Sequence, residues 1–174
     1  MTNVIYVSAN GMQALNDRLQ KANEELTAIR NEKTIAYTQT GDTWHDNPYF
    51  NRLEQDEKRK VGEVAEISGL IASAQIFILE TRNVTRVQLG SIMHLNRYYK
   101  VSGESEEVVL EVAGYGEMNV PRRLVAYNAP MMQELIGLGV GEVAESTSPK
   151  GPVEYEVLAL FASWEDVPEP FKPK

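Results

Sequence analysis

Mostly apolar residues recur at alternating intervals of three and four along the first half of the chain. The first series is Met12, Leu15, Leu19, Ala22, Leu26, Ile29, Lys33 and Ala36. The second series is Phe50, Leu53, Glu57, Lys60, Val64, Ile67, Ile71 and Ala74. An average spacing of about 3.5 residues is the repeat of a coiled-coil seam. Two long helices are therefore predicted, and Ser8 is the expected N-cap of the first.

The two seams fit the register of an antiparallel hairpin. Facing positions in such a hairpin have residue numbers that add up to a nearly constant value, as they do for Leu26 with Val64 and for Lys33 with Glu57. The pairing makes the seam polar towards the turn and apolar towards the open end. The alternative is two separate helices on a globular core, but such helices usually carry a broader apolar stripe.

Beyond residues 81–86 the pattern changes to short apolar runs separated by glycine-containing breaks, which is typical of strands and tight turns. A helix is predicted at Ala129–Leu138, with Asn128 as its N-cap and Gly139 after it. The predicted fold class is two-domain α+β. The predicted strands are Val87–Leu95, Tyr98–Val101, Val108–Val112 and Val153–Leu160.

These patterns divide the chain into three parts. Residues 1–80 are expected to form the helical hairpin, with an acidic tip at 41–47. Residues 87–162 are expected to form the strand-rich domain. Residues 163–174 contain three of the chain's prolines and are expected to be a poorly ordered tail.

Composition narrows the function classes. The chain has no cysteine and only two histidines, which excludes disulfides, a thiol nucleophile and a cysteine-ligated zinc site. A net charge of −8 argues against nonspecific clamping of a nucleic-acid backbone. No apolar run is long enough for a membrane span and no signal peptide is recognised, so a cytoplasmic protein without membrane contacts is expected.

The predicted tip contains acidic, aromatic and turn-forming residues within Gly41–Phe50. A plain capped turn explains Asp46 or Asn47 as the helix cap and Pro48 as the first helical residue. The capped turn does not account for Trp44 or for the presence of two carboxylates at the end of a long helical hairpin. Carboxylate oxygens suit Mg²⁺, which usually takes only one or two of them from a protein. Such a tip would hold an ion only where another protein supplies further ligands.

Several ordered segments resemble one family, the bacterial Gre transcript-cleavage factors. The opening YVSANGMQAL resembles the family's start, and GDTWHDN resembles its Gly-Asp-x-Ser-Glu-Asn tip motif. The later segments LGSIMHL, LEVAG, VAYNAPMMQELIGLGVGE and PKGPVEYEVLAL follow in family order. The resemblance covers nearly the whole chain. It implies an N-terminal coiled-coil hairpin and an FKBP-like C-terminal domain, built on an antiparallel β-sheet with one helix.

The resemblance also implies a partner and an activity. In the family, the C-terminal domain docks on RNA polymerase beside its secondary channel and the hairpin reaches towards the active site. Acidic tip residues help to retain a second Mg²⁺ shared with the polymerase, and backtracked nascent RNA is hydrolysed near its 3′ end. The chain would then be a monomer that supplies catalytic carboxylates and is not an enzyme alone. The family is classed as transcription-regulating and DNA-binding.

Site residues are carried over by position in the motif. Asp42 matches the family's first carboxylate directly, so it is expected to be catalytic and to contact Mg²⁺. The offset of the second carboxylate falls on His45, whereas Asp46 matches if the tip has one extra residue. Asp46 is favoured because Asp46-Asn47 reproduces the family's Glu-Asn before a helix start. His45, Asn47 and Trp44 are accessory candidates.

A basic cluster follows the tip and comprises Arg52, Lys58, Arg59 and Lys60. It is a candidate contact for RNA or the polymerase. The alternative is a solvated helix face balanced by Glu54, Asp56 and Glu57. The altered tip leaves a second function open, which is a Gre-fold regulator or inhibitor that occupies the channel without supporting cleavage. A third hypothesis is a chaperone or prolyl isomerase on the FKBP-like fold, but the sequence shows no evident aromatic pocket for it.

Overall fold

The computed structural model describes residues 4–40 and 46–173, except for the side chain of Thr40. The chain divides into two compact units. The first is mainly Met12–Gln75, and the second comprises Tyr6–Gly11 and Ile76–Lys174. Two short strands, β1 (Ile5–Val7) and β2 (Ala74–Ile76), each contain a point of the chain at which one unit ends and the other begins.

The first unit is built from two long helices, α1 (Ala9–Thr40) and α2 (Pro48–Ser73). The predicted cap at Ser8 is confirmed, because its Oγ accepts a hydrogen bond from the Gly11 amide at 2.9 Å. Asn47 caps α2 and Pro48 occupies the first helical position, where its missing N–H costs no hydrogen bond. Within the described residues, no helix is long and apolar enough to cross a membrane.

Both predicted seams are confirmed by burial. Every seam position is buried or half-buried, whereas most of the residues between them are exposed. Lys33 lies opposite Glu57, as the register predicts, with Nζ at 2.7 Å from Oε2. The seam residues that are almost fully buried are Leu15, Ala22, Leu26, Ala36, Phe50, Leu53 and Ile67.

The second unit contains a five-stranded sheet with the order β5-β4-β3-β7-β6. Three of its neighbouring strand pairs are antiparallel, and β4 and β5 are parallel. The predicted fold class, an α-helical hairpin followed by an antiparallel-rich sheet with one helix, is confirmed. The elements are β3 (Ile92–Tyr99), β4 (Glu104–Ala113), β5 (Leu124–Ala126), α3 (Pro130–Leu135), β6 (Val143–Ser148) and β7 (Gly151–Phe161).

Both faces of this sheet are covered. On one face, α3 contributes Met132 and Leu135 to a core with Met93, Leu95 and other strand residues. On the other face, a smaller cluster joins Ile92 and Val109 to Val167, with Trp164 and Phe171 packed against it. The ending of the chain is therefore ordered against the sheet, with 3-10 helices at Trp164–Asp166 and Glu169–Phe171. The expectation of a poorly ordered tail was wrong because its apolar residues cover strand side chains.

The strand boundaries differ from the prediction in the first half of the sheet. The predicted strands Val87–Leu95 and Tyr98–Val101 are replaced by the single strand β3, since a turn ends at Ser91 and another follows Tyr99. The sequence prediction missed β5 and β6. Strand β6 is half-covered at alternate positions only, and its polar composition hides it from a search for apolar runs.

The single helix is shorter than predicted and capped differently. Asn128 does not cap it, because its side chain accepts a hydrogen bond from the Gly116 amide and Ala129 takes the cap position without a side-chain bond. The helix ends before Gly137 rather than Gly139. Gly137 has a φ of 96° and its amide bonds the Val87 carbonyl, so the chain leaves the helix there.

Replacing glycine by alanine should have opposite effects at two positions. Gly69 lies exposed inside α2 and a Cβ there would meet no atom within 4 Å, so Gly69→Ala should stabilise by about 0.5–1 kcal/mol. Gly137→Ala places a side chain at a positive φ and should destabilise by about 1–2 kcal/mol. Urea unfolding followed by circular dichroism measures both. If both substitutions raised the free energy of unfolding, or both lowered it, the backbone conformations assigned to these two glycines would be contradicted.

Candidate functional site at the hairpin tip

The structure describes part of the predicted tip. Asp42, Trp44 and His45 lie outside the described residues. Asp46 is exposed and directly precedes Asn47, the N-cap of α2. The basic cluster of Arg52, Lys58, Arg59 and Lys60 lies entirely within α2.

The start of α2 positions Asp46 through backbone geometry. The Asn47 side-chain oxygen accepts from the Tyr49 amide at 3.0 Å and from the Phe50 amide at 3.4 Å. These bonds define the direction in which the chain enters the helix. The N-terminus of a helix carries partial positive charge, which favours a carboxylate beside it. Asp46 is thus an accessible anionic oxygen donor at a defined end of the hairpin.

A charged layer joins the two helices behind the tip. Glu57 on α2 accepts from Lys33 Nζ at 2.7 Å and from Arg30 Nε at 2.8 Å, both on α1. The Lys33 ammonium also lies 5.5 Å from the centre of the Phe50 ring. The hydrogen bond from Lys33, followed by that from Arg30, holds the pKa of Glu57 below its usual value of 4.5. The layer keeps the helix pair in one register close to the tip.

Two tyrosines beside this layer expose aromatic surface. Tyr37 on α1 is 50% exposed and Tyr49 on α2 is 52% exposed. Tyr49 donates its hydroxyl hydrogen to Glu32 at 2.7 Å, and this bond raises the pKa of Tyr49. Sequence reasoning did not select Tyr37 as a candidate. The sequence signal that could have identified Tyr37 is its position directly after the seam residue Ala36, because a residue beside the seam is left partly exposed.

The basic cluster is largely paired with carboxylates. Arg52 and Arg59 both approach Asp56, at 3.8 and 2.9 Å. Lys60 binds Glu25 of the facing helix at 2.6 Å and Glu63 at 2.7 Å, and the bond with Glu25 is the main reason that its pKa is raised. Within residues 4–40 and 46–173, Lys58 forms no ion pair and is exposed.

Lys60 therefore stabilises the hairpin through Glu25 and Glu63, which are not the carboxylates that the balanced-face alternative names. The pairs of Arg52 and Arg59 with Asp56 are of the kind that this alternative describes. Arg52, whose side chain is 80% exposed, and Lys58 present positive charge to solvent. Contact of this cluster with RNA or a polymerase stays a prediction.

The donor chemistry at the tip is compatible with Mg²⁺. Asp46 offers carboxylate oxygens, the ligand type that this ion prefers, and its side chain is accessible. The described part of the chain contains no group of three His, Cys, Asp or Glu residues placed to hold a metal ion. Whether Asp46 contributes to a Mg²⁺ site stays a prediction.

The Glu57 layer should make hairpin stability depend on pH. A lowered pKa in the folded state means that the stabilisation is fully present above pH 4.5 and is lost as the pH falls through the lowered pKa. Glu57→Gln should reduce stability at neutral pH by about 1 kcal/mol or less, with the two proteins converging in acid. Urea unfolding at a series of pH values measures this difference.

Glu54→Gln is the matched control for that measurement. Glu54 lies 3.8 Å from Lys33 and its side chain is 58% exposed, so its loss should change stability less than the loss of Glu57. A Glu57→Gln curve parallel to that of the unmodified protein at all pH values would refute the role of this layer.

Comparison with known proteins gives a family match in the second unit. Residues 82–160 match the family model described as "Transcription elongation factor, GreA/GreB, C-term". The chain is 25% identical to the transcription elongation factor GreA of Methylobacterium sp. (strain 4-46), over 88% of this chain and 94% of that protein. It is 26% identical to GreA of Buchnera aphidicola subsp. Baizongia pistaciae (strain Bp), over 83% and 91%.

The crystal structure of Thermus aquaticus Gfh1 has a TM-score of 0.41 and 22% identity, and the match covers 93% of this chain and 100% of that one. Taken with the curated relatives, the family match confirms the resemblance to Gre transcription elongation factors that the sequence motifs indicate. The curated relatives match over most of their length, so the resemblance includes the hairpin half of the chain.

Proposed function

We propose that this Gre-like chain is a transcription elongation factor that binds RNA polymerase at its secondary channel and stimulates Mg²⁺-dependent hydrolysis of backtracked nascent RNA. The cleavage would rescue arrested complexes. The observation that carries the proposal is Asp46, an exposed carboxylate at the capped start of α2 in a chain with GreA relatives.

The dimensions of the hairpin support delivery of this carboxylate into a confined site. Helix α2 has 26 residues and is therefore about 39 Å long at 1.5 Å per residue. A pair of helices is narrow. Its buried seam and the ion pairs of Glu57 hold the two helices together. Such a rod can carry a small group of side chains through a channel that excludes a globular domain.

In the proposed site, Asp42 and Asp46 would hold Mg²⁺ together with carboxylates of the polymerase. The ion, when bound, would stabilise negative charge on the attacking and leaving oxygens. The contribution of this chain is to bring oxygen ligands to the RNA and to orient a water molecule near the scissile phosphate. Since two carboxylates are too few ligands for a complete Mg²⁺ site, the chain should have little activity without polymerase.

The net charge of −8 is compatible with this arrangement. The protein does not need to wrap nucleic acid, because polymerase holds the RNA and only the tip meets its 3′ end. The exposed charges of Arg52 and Lys58 lie on the helix that begins at the tip and would face the nascent RNA or the channel wall.

A second candidate function is a channel-binding regulator or inhibitor without cleavage activity. It is favoured by His45 at the offset where the family motif has its second carboxylate. Pro48 and Tyr49 also replace a pair of residues that is small and then acidic in the family motif, and Tyr49 is hydrogen-bonded to Glu32. A factor of this kind would slow nucleotide addition and release no short RNA.

Removal of the tip carboxylates should separate cleavage from binding. Asp42→Asn and Asp46→Asn should each lower transcript cleavage in a backtracked elongation complex by at least about tenfold, because each removes a charged oxygen ligand. Binding to polymerase should remain within about twofold, since Asp46 is exposed and substitutions at exposed positions rarely disturb the fold. Gel analysis of 3′-cleaved RNA and a fluorescence binding titration measure the two quantities.

Asp17→Asn is the matched control, because Asp17 is an exposed aspartate of α1 far along the chain from the tip. It should cleave like the unmodified protein. Full cleavage by the double variant Asp42→Asn/Asp46→Asn would overturn the tip assignment. If the unmodified protein slows nucleotide addition and yields no cleaved RNA, the regulator without cleavage activity is the correct function.

A further inference from the structure

Arg97 occupies a position where the sheet otherwise places core residues. On β3, Met93 and Leu95 point to the α3 side and are fully buried. Side chains alternate along a strand, so Arg97 follows Leu95 on the same face. Its neighbours across the sheet are Glu106 on β4 and Tyr155 on β7. A cation is thus built into the apolar side of the second unit.

The hydrogen-bonding capacity of Arg97 is largely unused. Its Nε is buried and has no hydrogen-bond partner among the described residues. Its one ion-pair contact in this part of the chain is long, with 3.9 Å between Nη1 and Glu106 Oε2. Glu106 is also the acceptor for the Tyr99 hydroxyl at 3.2 Å. A guanidinium has five N–H donors in a planar fork that suits an oxyanion, and most of them remain available here.

Arg97 lines a cavity of about 700 Å³ in the second unit. The floor is apolar and includes Val108, Leu110, Val125 and Met131. Tyr99 and Tyr155 supply aromatic surface, so the cavity has the aromatic component that was not evident in the sequence. Small-molecule sites typically have volumes of about 300–1,000 Å³, mostly apolar walls and a few polar groups.

The charged residues around this cavity are all cations. Arg97, Arg123 and Lys150 line it, and its lining includes no Asp or Glu. Lys150 Nζ lies 4.9 Å from the centre of the Tyr99 ring. Among the described residues, neither Arg123 nor Lys150 forms an ion pair. In a chain with a net charge of −8, this local concentration of positive charge, in which only Arg97 has a carboxylate partner and that at 3.9 Å, favours an anionic ligand.

We propose that the cavity binds a small organic anion that combines an apolar body with one acidic group. The acidic group would lie against the guanidinium of Arg97, with Arg123 and Lys150 at the rim. The apolar body would pack on Leu110 and Met131 and against the two tyrosine rings. This site lies within the second unit and does not involve the residues of the hairpin tip.

The available probe is 8-anilinonaphthalene-1-sulfonate, which has an aromatic body and one anionic group. Its fluorescence titration with the full chain should saturate at one site. Amide resonances of Tyr99, Leu110 and Met131 should shift in a two-dimensional NMR spectrum. N-phenyl-1-naphthylamine has the same aromatic body without the sulfonate. It should bind at least about tenfold more weakly, because the charge-assisted bonds are missing.

Substitutions identify the cations that contribute. Arg97→Gln should weaken binding of the sulfonate by at least about tenfold. Arg123→Gln and Lys150→Gln are on the rim and should weaken it by a smaller factor without loss of the fold. Arg122→Gln is the matched control, since Arg122 is exposed and does not line the cavity. It removes the same charge and should leave binding unchanged.

Three results would overturn the proposal. The first is equal affinity for the sulfonate and the uncharged naphthylamine, which would indicate a purely apolar surface. The second is unchanged binding by Arg123→Gln, Lys150→Gln and a folded Arg97→Gln. The third is displacement of the probe by an acidic peptide but by no small carboxylate or phosphate with an apolar body, which would assign the cavity to a protein partner.

Discussion

The hairpin depends on a charged layer within a mostly apolar seam. Glu57 binds both Lys33 and Arg30 across the helix pair, and a shift by one turn would separate these partners and leave charges half-buried without compensation. Apolar seam positions alone permit more than one register, whereas a single polar layer distinguishes among them. Because the layer lies near the tip, it also determines which residues of the two helices end beside Asp46.

The second unit is stabilised from both sides of its sheet. Helix α3 covers one face, and the final 3-10 segments bring Val167 and Trp164 to the other. Trp164 donates its indole N–H to Glu111, which also binds Arg82. These polar contacts connect the chain ending to the strands and complete a two-sided core. The concave region with Arg97 is left outside this packing, which makes it available to a ligand.

The proposed functions divide between the two units. The hairpin presents carboxylates that need a partner to complete a metal site, and the proposed cleavage activity therefore belongs to the complex with polymerase. The cavity has its own cations and apolar walls and needs no partner to form. The net charge of the whole chain is negative, so it does not reveal the local positive charge of Lys58 on α2 or of Arg97 in the cavity.

The sequence determined the elements that rest on periodicity. The seams, the register of Lys33 with Glu57, the cap at Ser8 and the family resemblance follow from spacing and residue type, which are local properties. For the second helix the sequence left Asp46 and Asn47 as alternative caps, and the structure shows Asn47 in that position. Tertiary structure decided the rest. The tail folds against the sheet because Val167 packs with Ile92, and the Asn128 side chain bonds the Gly116 amide instead of capping a helix. Arg97, Arg123 and Lys150 line one cavity only because distant strands and loops converge. Such contacts depend on which surfaces meet, and one-dimensional patterns do not encode that information directly.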